Sequence, residues 1–253
     1  MKHAICLLAY KDINYMHRFI DQFENHKDIE FYIHWHNHDD NECKLLKSYS
    51  NNIKYVCNNF NTFRFSIDLV YAEMHLYKIA LQNPEICICH LFSESNYLIC
   101  NVNHFINYYN DNINNNFLTF IYDETINSMN FYKASQWKSL NRNTIQKLID
   151  PLYLIDELLN ELTKIHKPNG ALDEIIIPTI LKRKFNIDNN LKPNLCYINW
   201  INCRSHPNEL TYSMYKDPSY QITYEEVTKN LTVRKIDIMN NDCKLFLDTM
   251  KIN

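Results

Sequence analysis

The stretch HAICLLAYKDINYMHRFIDQFENHKDIEFYIHW, residues 3–35, decides how the rest of the chain is read. Its two ends, HAICLLAY (3–10) and IEFYIHW (29–35), are short runs dominated by apolar and aromatic residues, the pattern of strands covered on both faces. Between them, 13–26 repeats its apolar residues at helical spacing. A strand, a helix and a second strand in that order place two parallel strands side by side with a crossover helix on one face.

The alternation continues outward. Residues 53–57 and 86–92 read as further strands, and 64–83 as a helix with Phe65, Leu69, Ala72, Leu76 and Ala80 on one stripe and Pro84 ending it. A shorter helix from 101 leads to the strand-like NFLTFIYDE (116–124). Residues 141–183 read as helical pieces broken by Pro151 and by the turn Lys167-Pro168-Asn169-Gly170. Strand signals return at LCYINW (195–200) and TVRKID (232–237), and 241–250 is a short amphipathic tail. With 253 residues and 46% hydrophobic content, one α/β domain with one large core is the simplest architecture. Such sheets take ligands at the carboxyl ends of their strands, so the residues after Ala9, Trp35 and Phe92 are the first places to look.

A net charge of -3 with dispersed Lys and Arg excludes a general nucleic-acid binder. The nine cysteines are odd in number and form no CxxC pair, which fits a reducing, cytoplasmic setting. A strand pattern directly follows Met1, and no apolar run approaches the roughly 18 residues of a spanning helix. Neither secretion nor a membrane span is expected; peripheral membrane association stays open. The abundance of Asn beside Lys, Ile and Tyr, with one Gly, reads as nucleotide bias.

Three groups could carry chemistry. Asp173 and Glu174 open an apolar helix, where a carboxylate either complements the helix dipole or acts as a general base. Arg234 and Lys235 sit together in TVRKID; in a continued strand they face opposite ways, but at a strand end both can meet a diphosphate. His34, His36 and His38, followed by Asp39 and Asp40, alternate as metal ligands on one strand face would. The chain contains no GxGxxG, GxxxxGK[ST] or GxSxG segment and no clean DxD in its first half. Dinucleotide-dependent dehydrogenases, P-loop enzymes and α/β-hydrolases are thereby set aside.

In order along the chain, LLAYKD, FYIHWHNHDD, RFSIDLVYAEMHLYKIAL, HLFSESNYLI, KASQWKSLNRNTIQKLI, ALDEIIIPTIL, YINW followed by HP-x-x-LT, and TVRKID resemble successive segments of the core-2/I-branching glycosyltransferases, the family that also holds the protein xylosyltransferases. KASQWKSL stands against a GSQWWSL pattern, ALDEIIIPTIL against PDEMFFQTIL, TVRKID against FARKFD. The resemblance implies a GT-A-like single domain with a mixed, mainly parallel sheet. Residues 1–100 would form a nucleotide-binding half and 101–253 an acceptor and catalytic half. It implies inverting transfer from a UDP-sugar, GlcNAc being the commonest sugar and xylose the next, to a glycan or lipid-linked glycan hydroxyl, with no metal or other cofactor.

By the same resemblance Glu174 is the catalytic base and Arg234 with Lys235 binds the donor diphosphate. Ser135, Gln136, Trp137, Asp173, Arg204 and Glu94 would lie at the sugars, with His206 in the same loop as Arg204. Ala9, Tyr10, His36 and Arg64 would lie at the nucleoside. The family pattern is broken at three positions: His36 stands for an Asp, and Glu94 and Asn96 stand for the Gly and Asp of SGQDYP. The absent stem and anchor point to a soluble bacterial or viral enzyme of surface-polysaccharide or glycoconjugate synthesis. Two rivals are a metal-dependent hydrolase or transferase built on the His cluster, and a non-catalytic glycan- or nucleotide-binding module.

Overall fold

A computed structural model describes residues 1–63, 66–126, 129–150, 153–164, 172–199 and 208–251. In chain order the first half runs β1 (Lys2–Ala9), α1 (Ile13–Asp21), β2 (Ile29–Trp35), α2 (Asp40–Tyr49), β3 (Ile53–Cys57), α3 (Asp68–Ala80), β4 (Ile86–Phe92), β5 (Tyr97–Leu98) and α4 (Val102–Asp111). The second half runs β6 (Asn116–Phe117), β7 (Phe120–Ile126), β8 (Met129–Ala134), β9 (Lys138–Asn141), α5 (Arg142–Ile149), α6 (Tyr153–Lys164), a 3₁₀ turn (Leu172–Glu174) and α7 (Ile176–Phe185). It continues with β10 (Leu191–Lys192), β11 (Cys196–Ile198), α8 (Tyr212–Lys216), α9 (Tyr224–Thr228), β12 (Thr232–Arg234) and α10 (Asn241–Met250).

Seven strands form the central sheet in the order β10-β6-β9-β4-β1-β2-β3. β3, β2, β1 and β4 are mutually parallel, and β9 alone runs against its neighbours β4 and β6. The sheet is thus mixed and mainly parallel, as the alternation in the first hundred residues predicts. Strand parity divides the core: Ala4, Cys6 and Leu8 of β1 face α3, α5, α6 and α7, whereas Ile5, Leu7 and Ala9 face α1, α2 and α4. A third cluster joins Tyr97, Ile99, Val233 and Ile236 to Phe246, Leu247 and Met250 of α10.

Two small sheets shape the site. In β11-β12-β5, Val233 pairs with Tyr97 and Thr232 with Leu98, antiparallel, which draws the end of β12 onto the turn that follows β4. β7 and β8 form a separate hairpin. The expected strand 116–124 therefore splits: Leu118 N–H still bonds the carbonyl of Lys192 in β10, and the chain then leaves the central sheet before β7 begins. TVRKID is a strand only to Arg234; beyond it Lys235 C=O bonds Leu210 N–H and Ile236 N–H bonds Ser95 C=O. The helix expected over 13–26 stops at Asp21, and Glu24 and Asn25 then take φ of 52° and 51°. The turn 167–170 and Trp200 lie outside the described residues.

Candidate active site

β1 lies between β2 and β4, so the chain leaves it in one direction and returns on the other side. The carboxyl ends of β1 and β4 flank this switch point, where open α/β sheets hold ligands. Glu94 bridges the two ends: its Oε1 accepts from Tyr10 N–H at 3.3 Å and Lys11 N–H at 3.1 Å. The side chain is fully buried and its Oε2 has no protein partner. Burial pushes its carboxyl above the ordinary range, against the pull of the backbone N–H groups and of Lys11. Asn96, whose Oδ1 accepts from Ser93 N–H at 2.9 Å, closes the turn that carries Glu94. The two departures at SESN are thus structural parts of one buried turn.

The strand pairing of β12 delivers Arg234 to the same turn. Its Nε donates to Ser93 Oγ at 3.4 Å, and its guanidinium lies 4.3 Å from the centre of the Trp137 ring, within cation–π range. Burial lowers the guanidinium pKa, while Cys196, Tyr10, Glu94 and Glu174 act in the opposite direction. Arg234 therefore shares one electrostatic environment with residues from four separate segments. Lys235 follows at the strand end, half-exposed, with Glu209 at a long 3.9 Å.

Glu174 ends the 3₁₀ turn before α7. This turn packs against α7, and α7 packs on β8 through Thr179, whose Oγ1 accepts from Tyr132 N–H at 3.0 Å. The neighbouring Lys133 consequently reaches Glu174 Oε2 at 3.0 Å. Asp173 differs from it. It is buried, its Oδ1 has no hydrogen-bond partner, and burial first and Glu174 second push its carboxyl up to about 7. The two carboxylates that look equivalent in ALDEIII are chemically distinct: Glu174 is paired with a cation, whereas Asp173 is buried and readily protonated. Ser135, whose N–H donates to Thr119 C=O at 3.0 Å, and Gln136 are both half-buried in the link from β8 to β9.

At the β1–β2 edge, Ala9 C=O accepts from His36 N–H at 2.9 Å, and the His36 ring meets Phe63 edge to face at 5.3 Å. Tyr10 is largely exposed beside them. Arg64, Arg204 and His206 lie outside the described residues. The histidine cluster does not converge as a set of ligands. His34 is buried, accepts from Phe60 N–H at 3.2 Å, and is driven down to about 4 by desolvation. Asn37 turns the chain at φ 61°, after which His38 stacks on Trp35 at 3.7 Å and lies 3.2 Å from Glu42. Asp39 caps α2 through Asn41 and Glu42 N–H. Among the described residues no group of three or more His, Cys, Asp or Glu is placed to hold a metal ion.

Two cations escaped the sequence reading. Lys133 pairs with the candidate base. Lys11 sits over the Tyr15 ring at 4.0 Å and 3.7 Å from Asp237, whose other oxygen accepts from Tyr15 O–H at 2.7 Å. Lys11 lies two residues beyond Ala9, at a strand end already marked for ligands, so position alone could have singled it out. The eight cysteines among the described residues are free thiols, and no helix there is long and apolar enough to cross a membrane.

No curated protein sequence matches the chain. The apo form of the glycosyltransferase GlyE of Streptococcus pneumoniae TIGR4 superposes over 100% of this chain and 61% of its own, with TM-score 0.53 and 9% sequence identity. A second GlyE structure gives TM-score 0.48 at 10% identity, over the same shares of the two chains. At such identity the likeness concerns the fold, and the chain spans about three fifths of GlyE's length. The Core-2/I-Branching enzyme family model matches residues 119–229, which hold Trp137, Lys133, Asp173 and Glu174. Over residues 119–229 the chain thus resembles the Core-2/I-Branching enzymes, and its fold is similar to that of GlyE.

Proposed function

We propose that the protein is an inverting glycosyltransferase that moves a sugar from a UDP-sugar, with GlcNAc the expected sugar, to a hydroxyl of a glycan or lipid-linked glycan. The observation that carries this reading is the Arg234 guanidinium, flanked by Trp137 beside the buried turn that follows β4 and within electrostatic reach of Glu174. Glu174 takes the proton of the acceptor hydroxyl, whose oxygen attacks the anomeric carbon from the face opposite the diphosphate. The bond to UDP breaks with its electron pair on the phosphate oxygen, and the configuration inverts. Arg234 and Lys235 neutralise the leaving group, the role a divalent ion plays elsewhere, so the reaction runs without metal. Synthesis of surface polysaccharide or another glycoconjugate in the cytoplasm fits this chemistry and the free thiols.

Titration calorimetry of UDP into the purified protein in EDTA tests the donor site, and hydrolysis or transfer of UDP-GlcNAc in the same buffer tests the chemistry. Binding and turnover in EDTA support the reading. An absolute need for Mn²⁺ or Mg²⁺ refutes metal independence, and UDP binding with no turnover of any UDP-sugar leaves only the binding module.

A further inference from the structure

A second charged pair lies outside this machinery. Glu73 of α3 and Lys138 of β9 have fully buried side chains, with Nζ 2.9 and 3.0 Å from the two carboxylate oxygens. Desolvating an ammonium and a carboxylate together costs several kcal/mol per ion before their attraction is counted, and well-packed apolar residues often serve stability as well or better. Such a pair calls for a local reason. Lys138 stands where the second Trp of the quoted GSQWWSL pattern falls, so the position itself accepts an apolar side chain.

The reason lies in the third direction of the ammonium group. Nζ also donates to Gln136 C=O at 3.2 Å, tying the middle of Ser135-Gln136-Trp137 to α3. The next residue, Trp137, is held from its other side, its carbonyl accepting from Asn194 Nδ2 at 2.7 Å, and its ring flanks Arg234. The pair also faces the acidic turn: Lys138 and Glu73 act in opposite senses on the buried Asp173 beside Glu174. One ion pair between α3 and β9 thus touches the segment that carries Trp137 and acts on the buried carboxylate beside Glu174.

We propose that Glu73 is a positioning residue of the donor site, acting through Lys138 and the Gln136 carbonyl to hold Trp137 against Arg234. Glu73 touches no substrate. Its carboxylate directs the ammonium so that one N–H is spent on Gln136, which fixes the ring against which the guanidinium is ordered. This inference rests on the donor-site reading above.

The test is the double variant Glu73→Met/Lys138→Met, which removes the pair and fills its volume. Its unfolding temperature should equal or exceed that of wild type, while its UDP affinity in EDTA falls about tenfold, since a displacement near 1 Å at a binding group is felt at that scale or above. Wild-type affinity in the folded double variant overturns the proposal. Should the double variant not fold, Lys138→Arg decides: it keeps the charge pair but moves the donor away from Gln136, so weaker UDP binding at unchanged unfolding temperature supports positioning and unchanged binding refutes it. Near-UV circular dichroism of Trp137, isolated by difference against matching Trp137→Phe proteins, keeps the two readings apart. If wild type binds no UDP, the donor-site reading falls. A Trp137 signal altered by Glu73→Met/Lys138→Met then still supports the positioning role, and an unaltered one removes it.

Discussion

The Trp137 ring lies 4.3 Å from the Arg234 guanidinium, although 97 positions separate the two in sequence. A guanidinium held this way keeps its charge while losing its freedom, so the cost of ordering it is met before any anion arrives. Trp137→Leu should therefore weaken UDP binding by roughly 0.5–2 kcal/mol, a few-fold to about thirtyfold. Trp137→Phe should recover part of the loss. Calorimetry in EDTA checks both; equal affinity in all three proteins would detach the ring from the donor site.

Glu174→Gln keeps the shape of the side chain and removes its proton acceptor. Transfer should drop by about 10²–10⁴-fold with UDP affinity near wild type, the mark of a general base acting on the acceptor. Lys133→Met should also lower kcat, by freeing the carboxylate from its 3.0 Å tether, with a stability change of no more than about 1 kcal/mol. Steady-state kinetics beside thermal melts separates the two effects. Full activity in Glu174→Gln would move the base elsewhere.

Asp173 supplies a pH signature in stability. Burial raises its carboxyl from 3.8 to about 7, so the folded state holds this proton more tightly than the unfolded chain does. The associated stability is complete below 3.8 and is lost as pH rises through about 7. Between pH 5 and 8 the wild-type melting temperature should carry a downward component that Asp173→Asn lacks. Parallel curves for the two proteins would show that Asp173 is ionised throughout.

The opposite slope comes from the stacked pair His3 and His90, whose rings exchange a hydrogen bond at 3.1 Å. His90 continues to Ser139 at 2.8 Å and His3 to Asn110 at 3.1 Å. Desolvation drives His3 down to about 4 and His90 well below its ordinary value. Stability tied to the neutral rings is complete above 6.5 and falls away as pH drops through about 4. Replacing both by Gln should flatten the acid limb of the melting curve, and an unchanged limb would place the acid sensitivity in other groups.

The buried parallel strands were the most legible part of the sequence. Continuous apolar runs marked β2 and β4 to the residue, because strands covered on both faces admit little else, and β-branched and aromatic residues marked the edge strand β3, where Lys54 is exposed. The hairpin β7–β8 escaped notice, since IYDETI and MNFYKA mix polar and apolar residues without a clean period. DNECKLLKSY hid α2 behind a polar surface, although the Asp39–Glu42 capping box was there to be read. Motifs singled out Glu174, Arg234 and Trp137, and strand-end position could have added Lys11, whereas Glu73 with Lys138, and Lys133, depend on contacts across distant elements that no spacing rule encodes. The asparagines read only as nucleotide bias also serve the backbone: Asn25, Asn37 and Asn186 hold three of the five positive-φ positions among the described residues, in a chain with a single glycine.

The placement of β12 sets the order in which the site is completed during synthesis. Arg234 is held by pairing with β5 and by a core that α10 closes with Phe246, Leu247 and Met250. A ribosome releases the strands β1 to β4 long before these residues emerge, so the sheet can form while its cationic edge does not yet exist. A nascent chain paused before residue 232, or a protein clipped there, would keep the crevice and Glu174 but lack Arg234 and Lys235. Residues 232–250 thus act as a seal on the crevice, closing it only after the sheet that floors it has been made.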